Sequence, residues 1–181
     1  MKLMFASDIH GSSVYCKKML KVYEKEQAQK LILLGDLLYH GPRNDLPLSY
    51  APKEVIAMLN AKKDELLCVR GNCEAEVDQM VLEFPVMADY MTIFEKGHMF
   101  FITHGHKFNK DNMPPLKKGD LLIHGHTHVQ IVQNLGDVTY LNPGSVSIPK
   151  NGTAHGYMIY EDGVFIMKSL DGNVIEKYVM E

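Results

Sequence analysis

Short apolar runs alternate with helical patterns in the first half of the chain. The runs contain apolar residues without alternation and predict three buried strands, at Lys2–Ala6, Leu31–Leu34 and Leu66–Val69. Apolar residues at helical spacing predict three helices, over Ser13–Gln27, Pro52–Asn60 and Glu74–Leu82. Strands without alternation are typical of a sheet that helices cover on both faces. The first half therefore predicts the strand–helix units of an α/β fold.

The second half of the chain is rich in strands and turns. Lys96-Gly97 lies between two strand patterns and predicts a hairpin of Tyr90–Glu95 with His98–Thr103. A further strand is predicted at Leu121–His124. Turn signals after it predict an antiparallel meander of five strands: Val129–Leu135, Val138–Asn142, Gly156–Glu161, Val164–Ser169 and Val174–Val179. We expect residues 1–181 to form a single α/β (α+β) domain with its polar motifs at one sheet edge.

Composition narrows the functional classes. A chain of 181 residues suits one domain whose core needs no disulfide support. The formal net charge is −3, so no overall positive field attracts nucleic acid or a membrane, and neither is an expected partner. Three cysteines without CxxC spacing, and no signal-like leader, favour a cytoplasmic protein. Edge strands in the meander would be protected by a homo-oligomer, a dimer or a tetramer.

Acidic, amide and imidazole side chains follow the predicted strands. Seven of them are candidate metal ligands: Asp8, His10, Asp36, Asn72, His104, His126 and His128. Because α/β sheets build their sites at the carboxyl ends of the strands, we expect these side chains to lie together. Residues two apart in extended backbone point the same way, so Asp8 and His10 could share one ion. The same argument applies to His126 and His128.

The donor set favours two divalent metal ions. Oxygen and nitrogen donors without an obligatory thiolate suit Mn²⁺, with Zn²⁺, Ni²⁺, Co²⁺ or Fe²⁺ as alternatives. Two such ions, about 3.5–4 Å apart, can hold a hydroxide for attack on phosphorus. They also neutralise charge on the phosphoryl oxygens. The motifs therefore indicate an enzyme that transfers phosphoryl groups to water.

In their order along the chain, the motifs resemble those of the calcineurin-like metallophosphoesterase superfamily. His40–Asn44, Arg70–Glu74 and Asn142–Lys150 are similar to its YfcE-type subgroup of small bacterial and archaeal phosphodiesterases. The resemblance covers nearly the whole chain and implies a four-layer αββα sandwich. It also implies two ligand sets that share Asp36: Asp8, His10, Asp36 and His128 for one ion, and Asp36, Asn72, His104 and His126 for the other.

Cys73 departs from the pattern of the superfamily. Most members have a histidine at this position, which assists the leaving group or contacts phosphate, and the YfcE-type subgroup also lacks it. A thiol of ordinary pKa is a poor general acid. His106, two residues past His104, is our first candidate for that role. The alternative is that His106 only supports a metal-binding side chain. Cys73 and His106 are therefore the candidate catalytic residues.

The loop of residues 37–51 supplies candidate substrate-binding side chains, because loops this long in a compact domain are often functional. Arg43 could bind phosphate through its planar fork, with a loop-closing salt bridge as the alternative. His40 is a weaker candidate. Glu74 and Asp78 could orient metal-bound histidines, but a solvated helix face is the expectation for both.

The resemblance implies a phosphodiesterase that acts on a small-molecule phosphodiester through a hydroxide held between two metal ions. The missing histidine supports a diester over a monoester. Two alternatives stay open. One is a non-catalytic scaffold on the same fold, like the small subunit of retromer, although all seven candidate ligands are present. The other is a phosphomonoesterase, which the short chain and the missing histidine disfavour.

Overall fold

The structure is a computed structural model that describes residues 1–180. The helices of this range are α1 (Ser13–Glu26), α2 (Pro52–Asn60) and α3 (Glu76–Val81). The strands are β1 (Lys2–Ala6), β2 (Lys30–Leu33), β3 (Leu66–Cys68), β4 (Tyr90–Glu95), β5 (His98–Thr103), β6 (Leu121–Ile123), β7 (Gln130–Asn134), β8 (Thr139–Pro143), β9 (Gly156–Glu161), β10 (Val164–Ser169) and β11 (Val174–Val179). None of the described helices has the length and hydropathy needed to cross a membrane.

The strands form two mixed sheets. The first has the order β11-β10-β9-β1-β2-β3, and β1, β2 and β3 run parallel in it. The second has the order β4-β5-β6-β8-β7, and β5, β6 and β8 run parallel in it. The carboxyl ends of three neighbouring strands therefore lie together in each sheet.

The two sheets face each other across an apolar core. Phe5 and Ile32 of the first sheet and Phe100 and Ile102 of the second are fully buried in this core. The opposite face of the first sheet is covered by α1 and α2, where buried side chains such as Met19 pack on the sheet. Burial on both faces explains why the parallel strands read as continuous apolar runs.

Residues 104–120 cover the outer face of the second sheet. Phe108 and Leu116 from this segment pack on the buried side chains of Phe101, Leu122 and Tyr140. The mixed α/β sandwich is confirmed, and in the described part of the chain a loop takes the place of the fourth, helical layer. Glycines and a Pro-Pro pair within the segment account for this, because both interrupt helices.

The predicted five-stranded meander is wrong. β7 pairs with β8 in the second sheet, whereas β9, β10 and β11 are consecutive strands of the first. The chain changes sheet between β8 and β9. Alternating patterns identify strands but do not indicate which sheet each strand joins, so this crossing could not be predicted from them. Helix α3 also begins at Glu76 rather than at the predicted Glu74.

Candidate metal centre

The candidate ligands lie in turns that follow strands of both sheets. Asp8 and His10 follow β1, Asp36 follows β2 and Asn72 comes after β3, all in the first sheet. The three histidines of the second sheet follow β5 and β6: His104, His126 and His128. The motifs therefore meet between the ends of two sheets, and the prediction of a single sheet edge is wrong.

Six of these side chains form two compact clusters. In the first, His128 Nε2 lies 3.2 Å from both Asp8 Oδ1 and His10 Nε2. In the second, His104 Nε2 lies 3.5 Å from Asp36 Oδ2 and 3.1 Å from His126 Nδ1. The potential ligand atoms of each cluster lie within 4.8 Å of one another. Each cluster thus offers three donors to one point in space.

Asp36, a member of the second cluster, also lies beside the first. Its Oδ2 is 3.6 Å from His10 Nε2 in the first and 3.5 Å from His104 Nε2 in the second. Asn72 joins the second cluster, because its Oδ1 lies 3.1 Å from His104 Nε2. The structure therefore brings all seven candidate ligands together, with one carboxylate adjacent to both clusters.

The backbone at the Asp8/His10 and His126/His128 pairs is not extended as predicted. Asp8 and His10 lie close together, but their φ values of 59° and 50° are left-handed rather than extended. His126 and His128, with φ of 65° and 61°, contribute to different clusters and do not share one. Asp36 is also left-handed, with φ of 55°. Non-glycine residues in this region are uncommon and concentrate at functional sites.

Backbone carbonyls orient three of the imidazoles. The Nδ1–H groups of His10, His104 and His128 donate to the carbonyls of Tyr39 (2.8 Å), Leu34 (2.6 Å) and Ile148 (2.9 Å), respectively. Because a carbonyl only accepts, Nδ1 carries the proton, and Nε2 has the free lone pair whenever the ring is neutral. Metal-binding histidines usually have such a partner on the other ring nitrogen.

Asp8 provides a test of whether a cation fits here. The carboxylate is fully buried, and within residues 1–180 no group makes a well-directed hydrogen bond to Oδ1. Its other oxygen accepts the N–H of His126 at 3.0 Å. A buried carboxylate oxygen needs a compensating charge or donor. Oδ1 lies among imidazole nitrogens that can bind metal, so the residues present fit a divalent cation.

The carboxylates and imidazoles hold each other in charged forms. Burial alone would raise the pKa of the Asp8 carboxyl, but His10 and His128 beside it hold that pKa well below its usual range. Burial would likewise lower the pKa of His104, yet its contact with Asp36 and the charge of Asp8 raise it to about 9. Divalent cations at these positions would displace ring protons, because metal ligands must be deprotonated.

Glu74 is buried, and its expected place on a solvated helix face is wrong. Only 3% of this residue is exposed. Its carboxylate accepts the backbone N–H groups of Asp36 (2.8 Å), Leu37 (2.7 Å) and Gly71 (2.5 Å). It therefore connects the turn that carries Asp36 to the turn that carries Asn72. A Cβ at Gly71 would overlap the Asp36 carboxylate, so only glycine allows this close approach.

A cavity of about 300 Å³, the first cavity, opens beside Asp36. Arg43 and Cys73 line it, as do Asn44 and Lys150, which the sequence reasoning missed. The only sequence signal for Lys150 was its place at the end of the segment Asn142–Lys150 that carried the family resemblance. The cavity thus places cationic and amide donors opposite the candidate ligands.

His40 does not line the first cavity. Its ring packs edge-on against Tyr39 and Tyr50, with centroid distances of 4.7 and 5.3 Å. His106 lines a second cavity, and its ring centroid is 5.5 Å from that of His104. Burial, followed by the charge of His104, lowers the pKa of His106 to about 4.

Cys73 lies where its sequence position suggested, next to Asp36. Its backbone N–H donates to Asp36 Oδ1 at 2.9 Å, and its thiol accepts from the Asn72 amide at 3.3 Å. Burial and the adjacent Asp36 raise the pKa of the thiol, so it stays protonated. All three cysteines of the chain are free thiols.

Known proteins resemble this chain in sequence and in fold. The phosphodiesterase YfcE of Escherichia coli K12 is 44% identical over 175 residues, which cover 97% of this chain and 95% of that protein. The solved structure of E. coli YfcE, described as a phosphoesterase, aligns over 100% of both chains with a TM-score of 0.97 and 43% identity.

A more distant structure shares the fold alone. Vps29 of Entamoeba histolytica, solved in complex with zinc, aligns over 100% of both chains with a TM-score of 0.59 and 17% identity. The family model of the calcineurin-like phosphoesterase superfamily domain matches residues 1–162. The family resemblance inferred from the motifs is thereby confirmed. This chain belongs to the calcineurin-like phosphoesterase superfamily.

Proposed function

We propose that this protein is a metal-dependent phosphodiesterase that hydrolyses a small-molecule phosphodiester. The observation that carries the proposal is the position of Asp36 Oδ2, 3.6 Å from His10 Nε2 and 3.5 Å from His104 Nε2. A carboxylate that belongs to one three-donor cluster and lies beside the other is the arrangement that a two-metal site needs. The 44% identity to a protein named a phosphodiesterase supports the diester substrate.

Two divalent ions would be held by the seven candidate ligands. Asp8, His10, Asp36 and His128 would bind one ion, and Asp36, Asn72, His104 and His126 the other. When bound, the ions would supply a hydroxide nucleophile and neutralise charge on the phosphoryl oxygens. We propose Mn²⁺ because the donors are oxygen and imidazole nitrogen; Zn²⁺, Ni²⁺, Co²⁺ and Fe²⁺ accept the same donors.

The side chains of the first cavity would bind and orient the phosphodiester. Arg43 and Lys150 carry positive charge, and Asn44 adds an amide donor, all on the same cavity as Asp36. Arginine binds two phosphate oxygens at once, which orients the group as well as attracting it. We propose that Arg43 contacts a non-bridging oxygen and that His40, packed between two tyrosines, supports this loop.

The catalytic roles of Cys73 and His106 stay predictions. Cys73 lines the first cavity and is the closer of the two to the proposed phosphate position. His106 faces the second cavity. With a thiol in place of the usual histidine, we expect esters with good leaving groups to react fastest.

The cellular setting is also part of the proposal. Three free thiols suit a reducing compartment, which supports a cytoplasmic protein. The net charge of −3 gives no support for a nucleic-acid partner. Half-exposed apolar side chains on the edge strand β11, at Val174 and Ile175, support a dimer or tetramer. We further propose that residues 1–181 form one domain.

The test is hydrolysis by metal-stripped protein to which single metals are returned. Bis(p-nitrophenyl) phosphate and p-nitrophenyl phosphate would be compared with Mn²⁺, Zn²⁺, Ni²⁺ and Mg²⁺. We expect metal-restored turnover of the diester, lost in Asp36→Ala and His128→Ala but retained in the control Asp171→Ala, whose carboxylate is exposed. Faster turnover of the monoester would favour a phosphomonoesterase. Bound metal without any turnover would favour a non-catalytic scaffold.

A further inference from the structure

A second cavity of about 350 Å³ adjoins the first. His126 and Thr127 line both cavities, so the wall between them includes a candidate metal ligand. A diester bound with its phosphate at the first cavity has two ester arms that must lie somewhere nearby. The second cavity has a volume typical of small-molecule sites and is the adjacent space that could receive one arm.

The walls of the second cavity are mainly apolar and aromatic. Val129 and Ile131 form one part, and Tyr140, His124 and His106 another. The rings of His124 and Tyr140 stack, with centroids 4.4 Å apart and planes 24° from parallel. Walls of aromatic and branched side chains accept a ring-shaped ligand, because aromatic groups contact each other edge-to-face as well as face-to-face.

His124, one of the lining residues, carries a buried hydrogen-bond acceptor. It is 2% exposed, and its Nδ1–H donates to the Gly125 carbonyl at 3.0 Å. Since Nδ1 carries the proton, Nε2 has a lone pair whenever the ring is neutral, and no group within residues 1–180 donates to it. A Cβ at Gly105 would overlap the His124 ring, so this glycine leaves room for the imidazole. A buried acceptor without a donor is uncommon in native structures and calls for a partner.

The charges at the cavity cancel locally. Lys110 and Asp111 both line it, and their side chains form an ion pair at 3.3 Å. Apart from the histidines and Thr127, the other polar lining residues are Asn109 and Gln133, which are neutral amides. An uncharged ligand therefore loses least on transfer from water to this cavity.

We propose that the second cavity binds one ester arm of the substrate, an uncharged, flat group that carries an N–H or O–H donor to His124. This inference rests on the proposed phosphodiesterase function and narrows its substrate class. The arm would bind beyond His126 while the phosphate lies in the first cavity. Binding of this arm would then select among diesters whose phosphate groups are identical.

A binding experiment tests the cavity without any reaction. Metal-free protein would be titrated with phenol, which is flat and has one O–H donor, and with anisole, which lacks the donor. Nitrogen-15 NMR of the histidine rings reports whether His124 Nε2 accepts a hydrogen bond. We expect phenol to shift the Nε2 signal, with a dissociation constant of about 1–10 mM for so small a ligand, and anisole to leave it unchanged. A phenol-insensitive Nε2 signal would overturn the proposal.

A kinetic experiment tests the same group as a substrate arm. Three p-nitrophenyl phosphodiesters share one leaving group and differ in the second arm: methyl, 3-methoxybenzyl and 3-hydroxybenzyl. We expect the 3-hydroxybenzyl ester to exceed the 3-methoxybenzyl ester about tenfold in kcat/KM, the effect of one buried hydrogen bond. His124→Phe keeps a flat ring without the acceptor, and we expect this variant to abolish the difference.

The matched control is His98→Phe. His98 also has a buried ring nitrogen for which residues 1–180 provide no hydrogen-bond partner, but it begins β5, at the opposite end of the strand from His104. This control should keep the tenfold preference, and equal rates for both benzyl esters in the wild type would refute the proposed arm site. If the methyl ester is not hydrolysed at all, the phosphodiesterase function fails, while the phenol titration still decides whether the cavity binds its ligand.

Discussion

Replacement of Glu74 by glutamine tests how the metal site is held together. The Glu74 carboxylate accepts three backbone N–H groups, from Asp36, Leu37 and Gly71, at 2.5–2.8 Å. These bonds connect the turn after β2 to the turn after β3. Glutamine has nearly the same shape but offers only one oxygen. Any effect of Glu74→Gln therefore arises from hydrogen bonding and charge rather than from a cavity.

The size of the effect follows from the contacts. The amide oxygen of glutamine can replace Oε2 and keep the bonds from Asp36 and Gly71. The amide NH₂ then faces the N–H of Leu37, so one charge-assisted bond is lost and one buried donor is left unpaired. Each of these changes costs about 1–3 kcal/mol. We expect the free energy of unfolding of the metal-free protein to fall by about 2–4 kcal/mol, and metal affinity to fall about 10–100-fold because Asp36 is displaced.

Urea unfolding of metal-free protein measures the first effect, and metal titration measures the second. Burial and the charge of Asp36 raise the pKa of Glu74 to about 7, so the wild type should be measured well above that pH, where the carboxylate is ionised. Glu76→Gln is the matched control, because Glu76 is exposed at the start of α3. A loss below about 0.5 kcal/mol in Glu74→Gln, or an equal loss in the control, would refute the reasoning.

Three further changes give distinct outcomes. Gly71→Ala should lower stability by about 3 kcal/mol and abolish metal binding, because its Cβ would lie 2.6 Å from the Asp36 backbone nitrogen; urea unfolding and metal content test this. Burial alone would raise the pKa of the Glu26 carboxyl, but the hydrogen bond from Lys168 outweighs burial, and the net pKa is lowered. The ion pair therefore stabilises the folded protein above the unfolded-state pKa of the carboxyl, and this stabilisation is lost on acidification. Glu26→Gln should therefore flatten the acid side of a stability–pH curve, and an unchanged slope would contradict this. Lys150→Ala should raise KM for a diester about tenfold, with a smaller change in kcat, in steady-state kinetics.

The sequence predicted the positions of the strands more successfully than their connections. The bounds of β1, β4, β5, β9, β10 and β11 are as predicted, because apolar runs and turn residues mark the ends of each strand locally. The crossing between sheets after β8 was missed, since it depends on which apolar faces meet in space. The motifs come from two sheets because the chain already passes from the first sheet to the second between β3 and β4.

Side-chain environments were the least predictable part of the site. Glu74 sits in a polar stretch that resembles the start of an exposed helix, yet it is buried because three N–H groups converge on its carboxylate. His40 adjoins Arg43 in the loop, but aromatic packing against Tyr50 turns it away from the first cavity. The first outcome depends on the turn after β2, which is distant in the chain, and the second on how the loop of residues 37–51 folds on itself. Single-sequence patterns do not carry that information.

The left-handed backbone of the candidate ligands has an evolutionary consequence. Asp8, His10, Asp36, His126 and His128 each hold φ between 50° and 65°. Each costs about 1 kcal/mol relative to an unstrained residue, and glycine removes most of that cost. Under the proposed function, selection for metal binding opposes the relief of this backbone strain by glycine. We therefore expect these five residues to be substituted early in any descendant that keeps the fold for another purpose. Their retention in a new sequence supports activity.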